Sequence, residues 1–281
     1  MTVIMFSGCS TTVQNLAIGE EKTLETGKTE QESVTEKDIN MNEKESFNAE
    51  SNINDVIHDS AFDDYGRLIF PVDMEIEDNL KLKDVSSILP WYSEVNTDKT
   101  VEIVNYMKNQ AMNGEQIFYP IYSEEEMQAD ADKKDTGLFF FRGNAGSKTA
   151  IINAGGGFVY VAGIHDSFPH ALELSKKGYN AFALIYRPGA QTACEDLARA
   201  IAFLHENAEQ LQIDMTDYSL WGGSAGARMA AWLGSYGTAY FGEKDYPAPA
   251  AVIMQYTGLS QVTGMEPPIY ACVGTSDGIA S

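Results

Sequence analysis

Short apolar runs that do not alternate with polar residues constrain this chain more than any other feature. Gly137-Leu138-Phe139-Phe140-Phe141-Arg142, Ala150-Ile151-Ile152-Asn153 and Ala181-Phe182-Ala183-Leu184-Ile185-Tyr186 are apolar at consecutive positions. A strand of that kind must be covered on both faces, which is the situation of a parallel sheet flanked by helices. Tyr218-Ser219-Leu220-Trp221, Ala251-Val252-Ile253-Met254-Gln255-Tyr256 and Pro268-Ile269-Tyr270-Ala271-Cys272-Val273-Gly274 continue the series. Longer amphipathic stretches separate the runs, one over 169–177 and a second opened by a capping box at Thr192-Ala193-Cys194-Glu195. In the second, Leu197, Ile201, Leu204, Ala208 and Leu211 recur at steps of four and three, the period of one helix face. The alternation predicts an α/β fold with a mostly parallel central sheet and helices on both faces. Before Thr136 the pattern predicts an opening strand within 62–75, a helix over 93–112 and a strand over 117–122, all in the same domain.

Of the 281 residues, 44% are apolar, enough for a sizeable core in one or two domains. Nineteen Lys and Arg stand against 41 Asp and Glu, a net charge of −22. That balance argues against a nucleic-acid partner, and anionic lipid would repel the chain unless an anchor held it there. About a third of the imbalance is local, because 19–55 is rich in Glu, Lys, Thr, Ser and Asn and almost without aromatics. Such a composition cannot bury enough apolar surface to fold. Three segments are therefore expected: 1–9, a disordered acidic tether over 10–57, and a globular domain over 58–281. Val3-Ile4-Met5-Phe6-Ser7-Gly8-Cys9-Ser10 resembles the cleavage box of bacterial lipoprotein signals, although Phe6 stands where an aliphatic residue is usual and no basic segment precedes it. The resemblance implies lipidation at Cys9 and a cell-envelope or extracellular location. Cys194 and Cys272 fall inside a helix and a strand and are expected to be buried free thiols.

Three motifs carry chemistry. Trp221-Gly222-Gly223-Ser224-Ala225-Gly226 follows one apolar run and opens an Ala-rich one, the strand, sharp turn and helix of a nucleophile elbow centred on Ser224. A tight strand-to-helix connection without catalysis fits the same residues. Asn153-Ala154-Gly155-Gly156-Gly157-Phe158 follows a strand directly, and its glycines let backbone N–H groups turn toward a ligand. Gly156 and Gly157, with the N–H of Ala225, are candidates for an oxyanion hole; a flexible glycine loop is the alternative. Gly143-Asn144-Ala145-Gly146-Ser147-Lys148-Thr149 is two residues too short for a phosphate loop. The third motif, Val273-Gly274-Thr275-Ser276-Asp277-Gly278, sets Asp277 in a turn after the last apolar run, where an acid can orient a histidine or simply cap the turn.

Taken together over 136–281, these residues resemble the α/β-hydrolase superfamily, in the esterase and lipase branch with a Gly-Gly-Gly-Phe loop that includes bacterial carbohydrate esterases. Tyr186-Arg187 and Glu195-Asp196-Leu197 add to the resemblance. It implies an α/β-hydrolase fold and hydrolysis of a carboxylic ester through an acyl-enzyme on Ser224, with Asp277 in the triad and no metal or organic cofactor. It implies a small-molecule or glycan ester as substrate. The family sets its histidine one helix and one strand beyond the acid. His58, His165, His170 and His205 all precede the elbow, so none matches that histidine, and the final strand, helix and histidine are expected to be missing. A chain lacking them is expected to be poorly stable. His205 is expected on the solvated side of its helix, and His165 and His170 near the pocket. The competing function is an inactive fragment or pseudoenzyme that binds a ligand in the remnant pocket.

Overall fold

The computed structural model describes residues 46–89, 91–258 and 262–278. Cys9, the segment 1–9 and the tether as far as Glu45 lie outside the described residues. The apolar runs pair into one seven-stranded sheet of β1 (Phe118–Pro120), β2 (Gly137–Phe141), β3 (Lys148–Asn153), β4 (Asn180–Ile185), β5 (Asp214–Gly223), β6 (Ala251–Gln255) and β7 (Ile269–Cys272). Their spatial order is β1-β2-β4-β3-β5-β6-β7. β2 runs antiparallel to β1 and β4, and every other pairing is parallel.

Seven α-helices among the described residues connect and cover the strands: α1 (Ile53–Ile57), α2 (Thr97–Met112), α3 (Glu124–Ala129), α4 (Phe168–Lys176), α5 (Ala190–Glu206), α6 (Ala208–Leu211) and α7 (Ala225–Tyr236). α4 packs on β2, β3 and β4, and α7 on β3, β5 and β6. The mostly parallel sheet with helices packed on it is the α/β architecture that the runs predict. Every residue of β2 and β4 is buried, which is why neither run alternates. Phe140 and Phe182 stack across the β2–β4 pair with centroids 4.1 Å apart. Among the described residues no helix is long and apolar enough to cross a membrane.

A buried ion pair joins the segment after β4 to α5. Asp196 is 0% exposed and accepts from the Arg187 backbone N–H at 2.7 Å, from Arg187 Nη2 at 2.7 Å and from the Tyr122 hydroxyl at 2.6 Å. Arg187 Nη1 reaches out to Asp130 at 2.9 Å. Bidentate contact and additional donors are what a buried carboxylate requires to offset its lost hydration.

Several expectations need correction. Residues 46–57 are folded rather than part of a tether: Ile53 and Val56 of α1 are fully buried, and Phe47 exchanges two backbone hydrogen bonds with the Asn105 side chain. The polar composition hid three-residue spacing of two apolar side chains behind the helix cap of Asn52, whose Oδ1 accepts the Asn54 N–H. The strand expected within 62–75 is instead 3₁₀-helical over Ser60–Ile69, started by Asp59 accepting the Ala61 N–H. The capping box at Thr192 does not form, because α5 begins three residues earlier behind Gly189, whose φ of 100° only glycine adopts freely. Glu195 takes a hydrogen bond from Gln191 within the helix. Cys194 is a buried free thiol, but Cys272 is exposed, as is all of β7. His205 is not solvated on a polar face: its ring stacks on Tyr246 and meets the edge of Tyr218, and burial lowers its pKa.

Candidate active site

The sequence Gly-x-Ser-x-Gly is a requirement of backbone contact. β5 ends at Gly223 and α7 starts at Ala225, so the chain reverses at Ser224. A Cβ on Gly222 would run into the backbone of Gly226, and a Cβ on Gly226 would run into the Asn153 carbonyl of β3. The turn leaves Ser224 at φ 50°, ψ −115°, a conformation that costs a non-glycine residue roughly 1–3 kcal/mol. The strain is held on both sides, since the Ser224 N–H donates to the Gln255 carbonyl of β6 at 3.0 Å and the Ser224 carbonyl accepts the Arg228 N–H at 3.2 Å. Ser224 Oγ makes no hydrogen bond among the described residues and faces a cavity of about 860 Å³ that Ser224 helps to line.

The glycine loop forms the opposite wall. Asn153 at the end of β3 donates from Nδ2 to the Trp221 carbonyl at 2.9 Å, tying the loop's root to the elbow strand. Gly156 has φ 145° and Gly157 φ 62°, and a Cβ on Gly156 would overlap the Tyr160 carbonyl. The loop closes on itself, with the Gly156 carbonyl accepting from Val159 at 3.0 Å and Tyr160 at 3.3 Å. The N–H groups of Gly156, Gly157 and Ala225 donate to no acceptor among the described residues, and Gly156 and Gly157 line the cavity with Ser224. Ala225 is buried in the first turn of α7, where the helix presents its positive end. Asp277 sits in a turn closed by its own N–H to the Gly274 carbonyl at 3.0 Å and lines the same cavity. The residues singled out for nucleophile, oxyanion donors and acid therefore converge from β5, α7, the β3 loop and the turn after β7.

The histidines divide. His58 caps α1, its Nδ1 at 2.8 Å from the Asn54 carbonyl, and His205 lies in the Tyr218–Tyr246 cluster. His165 and His170 both line the cavity, and none of the four is hydrogen-bonded to Ser224 among the described residues. His165 is 8% exposed; its Nε2–H donates to the Val85 carbonyl at 2.9 Å, which leaves Nδ1 as a buried lone pair without a partner. Burial pushes its pKa down to about 4, so the ring is neutral and its free nitrogen is closed off from a proton donor in the cavity.

That depression has a consequence for stability. Between the unfolded value near 6.5 and the folded value near 4, the unfolded chain binds a proton that the folded chain refuses, so stability falls as pH drops through this window. At about 1.4 kcal/mol per pKa unit the loss approaches roughly 3 kcal/mol by pH 4. Urea melts at pH 7 and pH 4.5 check this: the wild type loses more than His165→Gln, whose side chain does not titrate.

Several cavity residues carried no sequence signal. Asp166 lies in a π-helical turn over Gly163–Ser167 that no local pattern announces. Tyr92 comes from the segment before α2, and Tyr256, at φ 39°, reads in the sequence only as the tail of an apolar run. Trp91 is 78% exposed at the cavity rim. Among the described residues no Lys or Arg lines the cavity.

A family model described as BD-FAE matches residues 142–273, a little under half of the chain. No curated protein matches. Among solved structures, the chain is similar to MGS-M1, an α/β-hydrolase enzyme from a Medee basin deep-sea metagenome library. The identity is 22% and the TM-score 0.42, over 50% of this chain and 67% of that one. A thermophilic esterase, Est2, from the planctomycete Thermogutta terrifontis aligns at 21% identity and TM-score 0.43, over 53% of this chain and 56% of its own. Esterase B from Lactobacillus rhamnosis, inhibited by a C6-C4 SN3 compound, aligns at 20% identity and TM-score 0.41, over 50% and 47%. This chain thus spans about half the length of the last two.

Proposed function

We propose that the protein is a serine carboxylic-ester hydrolase working through an acyl-enzyme on Ser224. The observation that carries this reading is the elbow serine itself, strained at φ 50° with Oγ open to a cavity that also contains Gly156, Gly157 and Asp277. Ser224 Oγ attacks the ester carbonyl carbon and gives its proton to a base. The oxyanion that forms is met by the N–H groups of Gly156, Gly157 and Ala225, an effect worth roughly 3–4 kcal/mol per donor. Collapse breaks the carbon–oxygen bond to the alcohol, which leaves with the proton, and water then repeats the sequence at the acyl carbon to release the acid and restore Ser224.

The base is proposed to be the histidine that the family resemblance sets downstream of Asp277, with Asp277 orienting it. DNA sequence beyond the Ser281 codon of the source tests this by the presence or absence of that histidine. A second reading rests on His170, the cavity histidine whose ring makes no hydrogen bond among the described residues. His170→Ala separates the two: kcat stays within about threefold if the base is elsewhere and falls by roughly 10²–10⁴ if His170 takes the proton.

A serine-directed fluorophosphonate decides between catalysis and mere binding. Covalent labelling that Ser224→Ala abolishes supports the hydrolase; an unlabelled wild type that still binds ester analogues supports a ligand-binding pseudoenzyme. A small-molecule or glycan ester as substrate, and a lipid anchor at Cys9 holding the enzyme to the cell envelope, belong to the same proposal. Loss of fatty-acid labelling in Cys9→Ala cells is the expected result for the anchor.

A further inference from the structure

The glycine loop does not hold its position by itself. Gly155 makes the close approach: a Cβ there would come within 3.2 Å of Ser224 Cβ and 2.6 Å of the Tyr92 hydroxyl. What fixes Gly155 is Asp166, whose Oδ2 accepts the Gly155 N–H at 2.7 Å. The same oxygen accepts the Tyr256 hydroxyl at 2.6 Å, and the Tyr92 hydroxyl lies 3.5 Å from that of Tyr256. Tyr256 directly follows Gln255, the residue whose carbonyl holds the Ser224 N–H. One carboxylate oxygen therefore ties the loop carrying the oxyanion amides to the strand end that holds the nucleophile. Asp166 is also wedged against the elbow, since a Cβ on Gly223 would lie 2.7 Å from Oδ2.

The arrangement is costly for a structural tie. Asp166 is 7% exposed, and no Lys or Arg is hydrogen-bonded or ion-paired to it among the described residues. Burial raises its pKa, opposed chiefly by the Tyr256 and Gly155 hydrogen bonds and then by nearby His170. A carboxylate in such surroundings needs its donors to offset its desolvation, and an amide side chain would hold the loop with less expense.

We propose that Asp166 is a positioning residue for the oxyanion hole, setting Gly156 and Gly157 against Ser224 by clamping the Gly155 N–H and the Tyr256 hydroxyl on one carboxylate. The inference rests on the reading of Ser224 as nucleophile. It acts on the transition state, because the amides it places are needed only when the carbonyl oxygen takes up charge.

The test is the rate of fluorophosphonate labelling, together with kcat and KM on a neutral ester, for wild type, Asp166→Ala, Asp166→Asn and Tyr256→Phe, with a thermal melt of each. The expected result is a fall of roughly 10²–10³ in labelling rate and kcat for Asp166→Ala, with KM within about threefold. Asp166→Asn, which keeps an acceptor for Gly155, recovers most of the loss; Tyr256→Phe, which keeps Gly155 clamped, loses less than tenfold. If Asp166→Ala does not fold, partial loss of kcat at unchanged KM in Asp166→Asn and Tyr256→Phe supports the inference. Wild-type rates in every folded variant, or a rise in KM alone, overturn it while leaving the hydrolase reading standing. A wild type that is not labelled at all removes both.

Discussion

Ser224→Ala is expected to lower kcat for ester hydrolysis by roughly 10⁶-fold, the scale seen when a serine nucleophile is removed from a hydrolase. No other substitution in the cavity should act so strongly, because Oγ is the atom proposed to form the bond. Folding should be untouched: Oγ has no hydrogen-bond partner among the described residues, and alanine at φ 50° bears the same strain as serine. Ser224→Gly offers the complementary outcome. Glycine adopts this conformation freely, so the variant should be equally inactive yet more stable than Ser224→Ala by about 1 kcal/mol. Denaturant melts of the three proteins beside their hydrolysis rates would measure how much strain the elbow holds. An inactive Ser224→Gly no more stable than Ser224→Ala would mean that the turn is relaxed.

Asp196→Ala should be the most damaging change away from the cavity. It leaves the Arg187 guanidinium, whose side chain is 12% exposed, facing an empty buried site and strands the Tyr122 hydroxyl. Breaking a buried pair from one side costs about 3–5 kcal/mol, which for a domain of this size is a fall in Tm of roughly 6–20 °C. Asp196→Asn keeps the volume and one acceptor and should lose less. Thermal unfolding by circular dichroism checks both. A shift below about 2 °C for Asp196→Ala would show that Arg187 simply swings out to Asp130 and water.

The central strands were legible because burial on both faces leaves no alternation to misread: 137–142, 150–153 and 181–186 became β2, β3 and β4 within two residues of the expected ends. The elbow and glycine loop were legible for a different reason. Their glycines answer to backbone contacts between β3, β5 and α7, so the residue type reports the geometry directly. The segment 60–69 was misread because Phe62, Leu68 and Ile69 are buried without a regular period, in a 3₁₀ stretch whose start depends on one Asp59 side chain. α1 was missed because a short helix packed by two side chains is drowned in a polar composition. Asp166, Tyr92 and Tyr256 were invisible for a third reason. They meet only through the fold, from segments 74 and 90 residues apart (Tyr92 to Asp166, 166 − 92; Asp166 to Tyr256, 256 − 166), and no local pattern marks a side chain as buried beside a glycine.

The absence of Lys and Arg from the described cavity wall bears on what happens after the chemistry. Hydrolysis turns a neutral ester into an alcohol and a carboxylate, so a new negative charge would arise beside Ser224 with neither side chain there to retain it. It would arise, too, inside a chain of net charge −22, whose field favours the outward path. A cavity with an arginine would recognise the acid and hold it; if the site hydrolyses esters as proposed, this one would let the acid go, and inhibition by accumulated product is expected to be weak.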